Sequence, residues 1–373
     1  MSATLAAEVP ADVPVPVAVA AEPKKRVRRA VVRRSTADVP PVIGPLPRDM
    51  ELVARLERDG YAIIRSVLTE HECDEARSHA WDWFEELAPN VSRDDPSAWN
   101  SKNVPQLTGG LTKGLVQFYG VGWNKSDVYV RDRIKGVFAS IYGTERLWTS
   151  FGGFSISKRP KDRFCAYKDL ADWEAHKFDG GKLHSDQTRT SVHLCYQSGV
   201  ALTAQPEDGH VFVCVPGSHL WHAELLAMGD TRKVHWMELT DAQMQFLKSK
   251  GLAPVRVSLN RGDMVLWDSR TVHSNSGWCA TAPQGAERLQ SLICMGPAPA
   301  VGTKNHDDEV AFRRECYANN ITGKHSYNPT RAFPRIPRKY GPTQYAPDPL
   351  PPAELTLEQM WLHGLEPYPP HMR

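Results

Sequence analysis

The stretch Val255-Arg256-Val257-Ser258-Leu259-Asn260-Arg261-Gly262-Asp263-Met264-Val265-Leu266-Trp267 decides the architecture. From Val255 to Leu259 apolar and polar residues alternate, the pattern of a strand with one face buried. Asn260-Arg261-Gly262-Asp263 then supplies a turn, and a second apolar run follows at once. Outward from this stretch the same grammar repeats. Residues 149–157 carry aromatic and β-branched residues in partial alternation, and residues 191–196 alternate. Residues 210–215 form a compact apolar run closed by Pro216-Gly217-Ser218-His219, and residues 289–295 end the series. Short strands separated by turns predict a mainly β domain, here a double-stranded β-helix, the jelly roll shared with cupins.

Helices are expected around that centre. Met50, Val53 and Leu56 share a face, and Gly60 can end their helix ahead of a strand at 61–68. Thr69 with Glu72 makes a capping-box pattern, followed by the apolar stripe Cys73, Ala76, Ala80, Phe84 and Leu87. Val130, Ile134, Val137, Phe138 and Ile141 mark another helix, and residues 240–250 another, inserted between two strands. Such stripes predict packing against the outside of the barrel.

Within the strand-rich centre stands His184-Ser185-Asp186. Residues two apart on an extended segment point to one side, so His184 and Asp186 can reach the same metal ion. His273, just past the Gly-Asp strand, can supply a third ligand. Two imidazoles and one carboxylate on one face leave coordination positions open, the arrangement of non-haem Fe(II) oxygenases. The triplet alone is a weak signal in a chain of 14 histidines. His306-Asp307-Asp308 repeats it but reads as a helix start, and His222-Ala223-Glu224 also leads into a helix. His193, His210 and His235 are expected to be hydrogen-bonded structure rather than ligands, and His219 a turn residue.

Four ordered elements carry a family resemblance. They are the run from Leu56 to Leu68, His184-Ser185-Asp186, Glu207-Asp208-Gly209 leading into Val215-Pro216-Gly217-Ser218-His219, and Arg261-Gly262-Asp263 leading to His273. Together they resemble the phytanoyl-CoA dioxygenase family over roughly residues 50 to 297. The resemblance implies a jelly roll that uses Fe(II), 2-oxoglutarate and O2, with His184, Asp186 and His273 as iron ligands. It implies that Arg288 holds the far carboxylate of 2-oxoglutarate, with Arg270 as the fallback, because the segment after His273 is long. A carboxylate at Asp186 favours hydroxylation, since related halogenases leave that position to chloride. The implied reaction is hydroxylation of a small molecule with release of succinate and CO2. Two alternatives stand beside it: an oxygenase acting on a nucleic acid or protein, and a cupin-like metal binder without oxygenase activity.

Charge and composition bound the rest. The formal net charge of +2 divides unevenly. Lys24, Lys25, Arg26, Arg28, Arg29, Arg33 and Arg34 outnumber the acids of the first 35 residues, leaving the body slightly acidic. Residues 1–47, Ala/Val/Pro-rich and then basic, read as a disordered tail. Its basic cluster 24–34 is the one place where a nucleic acid or a nuclear address is expected; otherwise the chain reads as cytoplasmic, with neither a signal peptide nor a membrane span. Seven scattered cysteines without a Cys-x-x-Cys pair fit reduced, mostly buried thiols. The dioxygenase domain is expected over residues 48–325. A Pro-rich extension over 326–373 follows, with a short helix around Leu357, Met360 and Trp361 that Gly364 can stop; it is expected to wrap the domain or meet a partner.

Overall fold

The computed structural model describes residues 47–108, 111, 114–159, 182–187, 195–229, 236–329, 332–337 and 346–372. The basic tail, His193, His235, Cys165 and most of the strand expected at 191–196 lie outside them. Two antiparallel sheets form the core. The larger has the order β1 (Tyr61–Ile64), β9 (Met264–Asp268), β5 (Tyr196–Ala201), β11 (Glu287–Pro297) and β2 (Leu147–Thr149), with β3 (Gly153–Lys158) also on β11. The smaller runs β7 (Met237–Glu238), β4 (His184–Ser185), β10 (His273–Asn275), β6 (Phe212–Cys214) and β8 (Val255–Val257). This is the expected mainly β jelly roll with helices outside it.

The period of two explains which way each sheet faces. On β6, Phe212 and Cys214 meet Val265 and Trp267 of β9 between the sheets, whereas Val213 and its neighbour Val215 join an outer cluster. That outer cluster is covered by α4 (His222–Met228) and α5 (Asp241–Ser249) through Leu225, Leu226, Met244 and Leu247. On the larger sheet Phe154, Ile156, Leu289 and Ile293 face outward. They pack on α1 (Met50–Asp59), α2 (Glu70–Leu87) and α3 (Lys125–Tyr142) through Leu56, Trp81, Phe84, Ile134 and Phe138. Each fully buried side chain of this size contributes about 1.5–3 kcal/mol.

Local signals behave as the residues require. Gly60 takes φ 77 and closes α1 with its N–H on Leu56, and a side chain there would collide with His219 and Thr271. Thr69 and Glu72 form the expected capping box, as do Thr240 and Gln243. The second His-x-Asp triplet lies on α6 (Lys304–Ala318), capped by Thr303. α7 (Leu357–Leu362) ends before Gly364 at φ 65.

The sequence pattern missed β7 and the course of β5 beyond Tyr196. β5 lines the space between the sheets with Gln197 and Gly199, so no apolar alternation announces it. The C-terminal extension packs on the domain: the Tyr368 hydroxyl donates to the Leu147 carbonyl at 2.6 Å, and Arg313 donates to the carbonyls of Thr149 and His363, each at 2.9 Å. Among the described residues no cysteines are bridged, and all but Cys279 are buried. No described helix is long and apolar enough to cross a membrane.

Candidate metal centre

β4 and β10 pair so that His184 lies directly opposite His273. The ring centroids are 4.5 Å apart. Asp186 follows one residue past β4, where its backbone N–H donates to the Ser269 carbonyl at 3.1 Å. One ligand atom from each of His184, Asp186 and His273 falls within 4.8 Å of the others. The His184 Nε2 lies 3.7 Å from Asp186 Oδ1, and the His273 Nε2 3.6 Å from Oδ2.

Both rings are turned by their other nitrogen. His184 Nδ1 lies 2.8 Å from the Lys182 carbonyl, and His273 Nδ1 lies 2.8 Å from that of Thr271. A carbonyl can only accept, so each Nδ1 carries a proton and each Nε2 is the ring nitrogen turned toward Asp186 and available to a metal. Burial pushes the Asp186 carboxyl up, but His273, His184 and the Gln197 amide outweigh it and hold the group well below the usual carboxylate range. Two imidazoles and an ionised carboxylate that converge on one point are a donor set that fits Fe(II).

Arg288 opens β11 on the face turned toward the smaller sheet and is 1% exposed. Its Nη1 donates to Ser155 Oγ at 2.7 Å, and its Nη2 to Asn275 Oδ1 at 2.8 Å and to Gln290 Oε1. Every one of these acceptors is neutral, its Nε has no partner among the described residues, and burial pushes its pKa down to about 9. Among the described residues this desolvated guanidinium has no counter-charge, a setting that favours an anion. Asn275 lies two residues beyond His273 on β10, roughly 7 Å along the strand. Arg270, by contrast, is half-exposed and makes both arms of a fork with Asp268, at 2.9 and 2.6 Å.

Three further side chains at the centre were not anticipated. Gln197 of β5 donates from Nε2 to Asp186 Oδ2 at 2.8 Å. His325, from the segment after α6, lies 3.4 Å from Cys294 Sγ, and Cys294 is opposite Gln197 across the β5–β11 ladder. Burial brings the His325 pKa down to about 4. Gln290 shares the face of Arg288 by the period of two, a signal that was available. Nothing in the Pro-rich sequence around His325 marks it. The histidines expected to be structural behave so where described: His210 Nδ1 lies 3.1 Å from Ser157 Oγ, and His219 Nε2 3.0 Å from the Glu57 carbonyl.

Residues 166–277 match the family model of phytanoyl-CoA dioxygenase (PhyH). The matched interval contains His184, Asp186 and His273 and stops short of Arg288, so the resemblance read from the sequence is borne out there. The chain is 25% identical over 282 residues to "Ava biosynthesis cluster protein O" of Aspergillus versicolor, covering 72% of this chain and 83% of that protein. Among solved structures it is similar to the epimerase SnoN in complex with Fe3+, alpha ketoglutarate and nogalamycin RO. The identity is 22% and the TM-score 0.43, over 67% of this chain and 83% of that one. AviO1 from Streptomyces viridochromogenes Tue57 is 18% identical with a TM-score of 0.41, over 70% and 99% of the two chains.

Proposed function

We propose that this chain is a non-haem Fe(II)- and 2-oxoglutarate-dependent dioxygenase that oxidises a small molecule, with His184, Asp186 and His273 as the iron ligands and Arg288 as the anchor of the cosubstrate. The observation that carries this reading is the pairing of two sites in one space: a His-Asp-His set with both Nε2 atoms turned toward the carboxylate, and a buried Arg288 with no acidic partner among the described residues. When bound together, Fe(II), 2-oxoglutarate and O2 supply oxidative decarboxylation to succinate and CO2 and oxidation of a substrate C–H bond.

The chain's own residues prepare that chemistry. Lys182 and Thr271 fix the imidazole tautomers through their carbonyls. The Arg288 fork, aimed by Ser155, Asn275 and Gln290, orients a dicarboxylate so that its other end reaches the metal face. Asp186 supplies the carboxylate that a halogenase would lack, which supports hydroxylation. A cupin-like metal binder with no cosubstrate would have no use for a buried, uncompensated arginine. The relative in a biosynthesis cluster supports a small molecule as substrate. A macromolecular substrate would rest on the basic cluster 24–34, outside the described residues.

Anaerobic addition of 2-oxoglutarate to the Fe(II)-loaded protein tests the reading. It should give the visible charge-transfer band of a chelated keto acid, lost in Arg288→Ala at the same concentration. No band in the unaltered protein would discard the dioxygenase reading. Screening metabolite pools for substrate-stimulated succinate formation then seeks the substrate.

A further inference from the structure

We propose that Gln197 is a positioning residue that keeps Asp186 a one-oxygen ligand, and so keeps a coordination position free for O2; this rests on the functional reading above. The Gln197 amide must turn its NH2 toward Asp186, because an ionised carboxylate only accepts. The contact is 2.8 Å, a charge-assisted hydrogen bond to Oδ2. Oδ1 lies 3.7 Å from the His184 Nε2 and Oδ2 3.6 Å from the His273 Nε2; with Oδ2 taken by the amide, Oδ1 is the oxygen left for metal.

The consequence follows from counting positions. Two imidazoles and one carboxylate oxygen leave three open positions, which a chelating keto acid and O2 fill. A carboxylate binding through both oxygens would take one of those three. The backbone of Asp186 is tied to the Ser269 carbonyl, but that bond does not decide whether one or both carboxylate oxygens turn to a metal. Gln197 offers that carboxylate a fixed donor. It lies within β5, a strand paired on both sides, opposite Trp267 on β9 and Cys294 on β11, and is 1% exposed. Its Oε1 is buried with no partner among the described residues. The amide is therefore held at this spot by its bond to Asp186, and no second hydrogen bond of its own explains why a buried polar side chain stands in the strand.

Two substitutions and two probes test this. Gln197→Met keeps the bulk and removes the donor. Gln197→Asn keeps the amide but withdraws it by one methylene, which guards against a folding failure. Ser198→Ala, on the opposite face of β5, where the hydroxyl donates to the Ile293 carbonyl, reports what a merely structural disturbance of the strand does. Co(II) alone is titrated into each protein, and nitric oxide, standing in for O2, is titrated anaerobically into each Fe(II)–2-oxoglutarate complex and followed by EPR. Both Gln197 variants should lose about tenfold to hundredfold in Co(II) affinity, and their nitric oxide affinity should fall by at least about fivefold, with Ser198→Ala unchanged. Co(II) and nitric oxide affinities within about twofold of the unaltered protein would overturn the proposal, as would an equal loss in Ser198→Ala. If the unaltered protein itself binds no Co(II), the functional reading fails and not the role of Gln197.

Discussion

Arg288 and Asp186 are the residues on which the reading can be broken. Among the described residues Arg288 touches only neutral oxygens in a buried place, so a dicarboxylate is the partner that would complete it. Arg288→Ala should weaken 2-oxoglutarate binding by about 2–5 kcal/mol, because a carboxylate would then be buried unpaired. Arg288→Lys should cost less, since it keeps the charge and loses the fork. Fe(II) affinity without cosubstrate should be nearly unaffected. Arg270→Ala is the control: its guanidinium is already paired with Asp268, so the anaerobic titration should hardly move. A larger loss there than at Arg288 would transfer the cosubstrate role. Asp186→Ala should abolish Co(II) and Fe(II) binding and substrate-coupled succinate release. It should leave the melting transition in place, because the residue is a ligand and not core volume. Near-normal turnover would discard the triad.

The strand β5 shows how an element can serve a site through what it leaves out. A Cβ at Gly199 would overlap the Gln290 amide nitrogen, and Gln290 is one of the three groups that hold Arg288. Gly199→Ala should therefore push Gln290 aside and weaken 2-oxoglutarate binding several-fold, with an overpacking cost to stability of about 1–3 kcal/mol. Cosubstrate titration and thermal melting of the variant measure the two effects; unchanged 2-oxoglutarate affinity would mean Gln290 does not aim Arg288. The same strand marks where the sequence stopped being legible. β8 was readable because one face meets apolar core and writes the period of two into the residues, and β9 because both faces meet it and make a continuous apolar run. His184 and Asp186 were readable through the same period of two. β5 has Gln197 and Gly199 on the face that meets the centre, and a strand lining a polar space shows no apolar alternation. His325 arrives from a Pro-rich segment distant in sequence, and only tertiary packing brings it to Cys294.

At the scale of the whole molecule, the C-terminal extension is a strap whose hold depends on a neutral histidine. His363 is fully buried. Its Nδ1 lies 2.7 Å from the Gln359 carbonyl, so that nitrogen carries the proton, and its Nε2 lies 3.3 Å from Arg131 Nη1 and accepts. Its backbone carbonyl accepts from Arg313, which ties the strap to α6 and β2. Burial, and then the Arg131 guanidinium, hold its pKa well below the ordinary 6.5. His325 is lowered in the same direction, to about 4. The sign follows from proton binding. Below pH 6.5 the unfolded chain takes up protons that the folded chain refuses, so stability is fully present above that value and is lost as pH falls toward the folded-state pKa. Melting temperature should therefore hold near pH 7.5 and decline from about pH 6.5 toward pH 4. His363→Gln offers Arg131 an amide oxygen and the Gln359 carbonyl an N–H, without a group that titrates. It should flatten the decline between about pH 6.5 and 5 while lowering the melting temperature at neutral pH only modestly. Thermal melts of the two proteins across that window decide the matter: parallel curves would show that the strap does not answer to the protonation of His363.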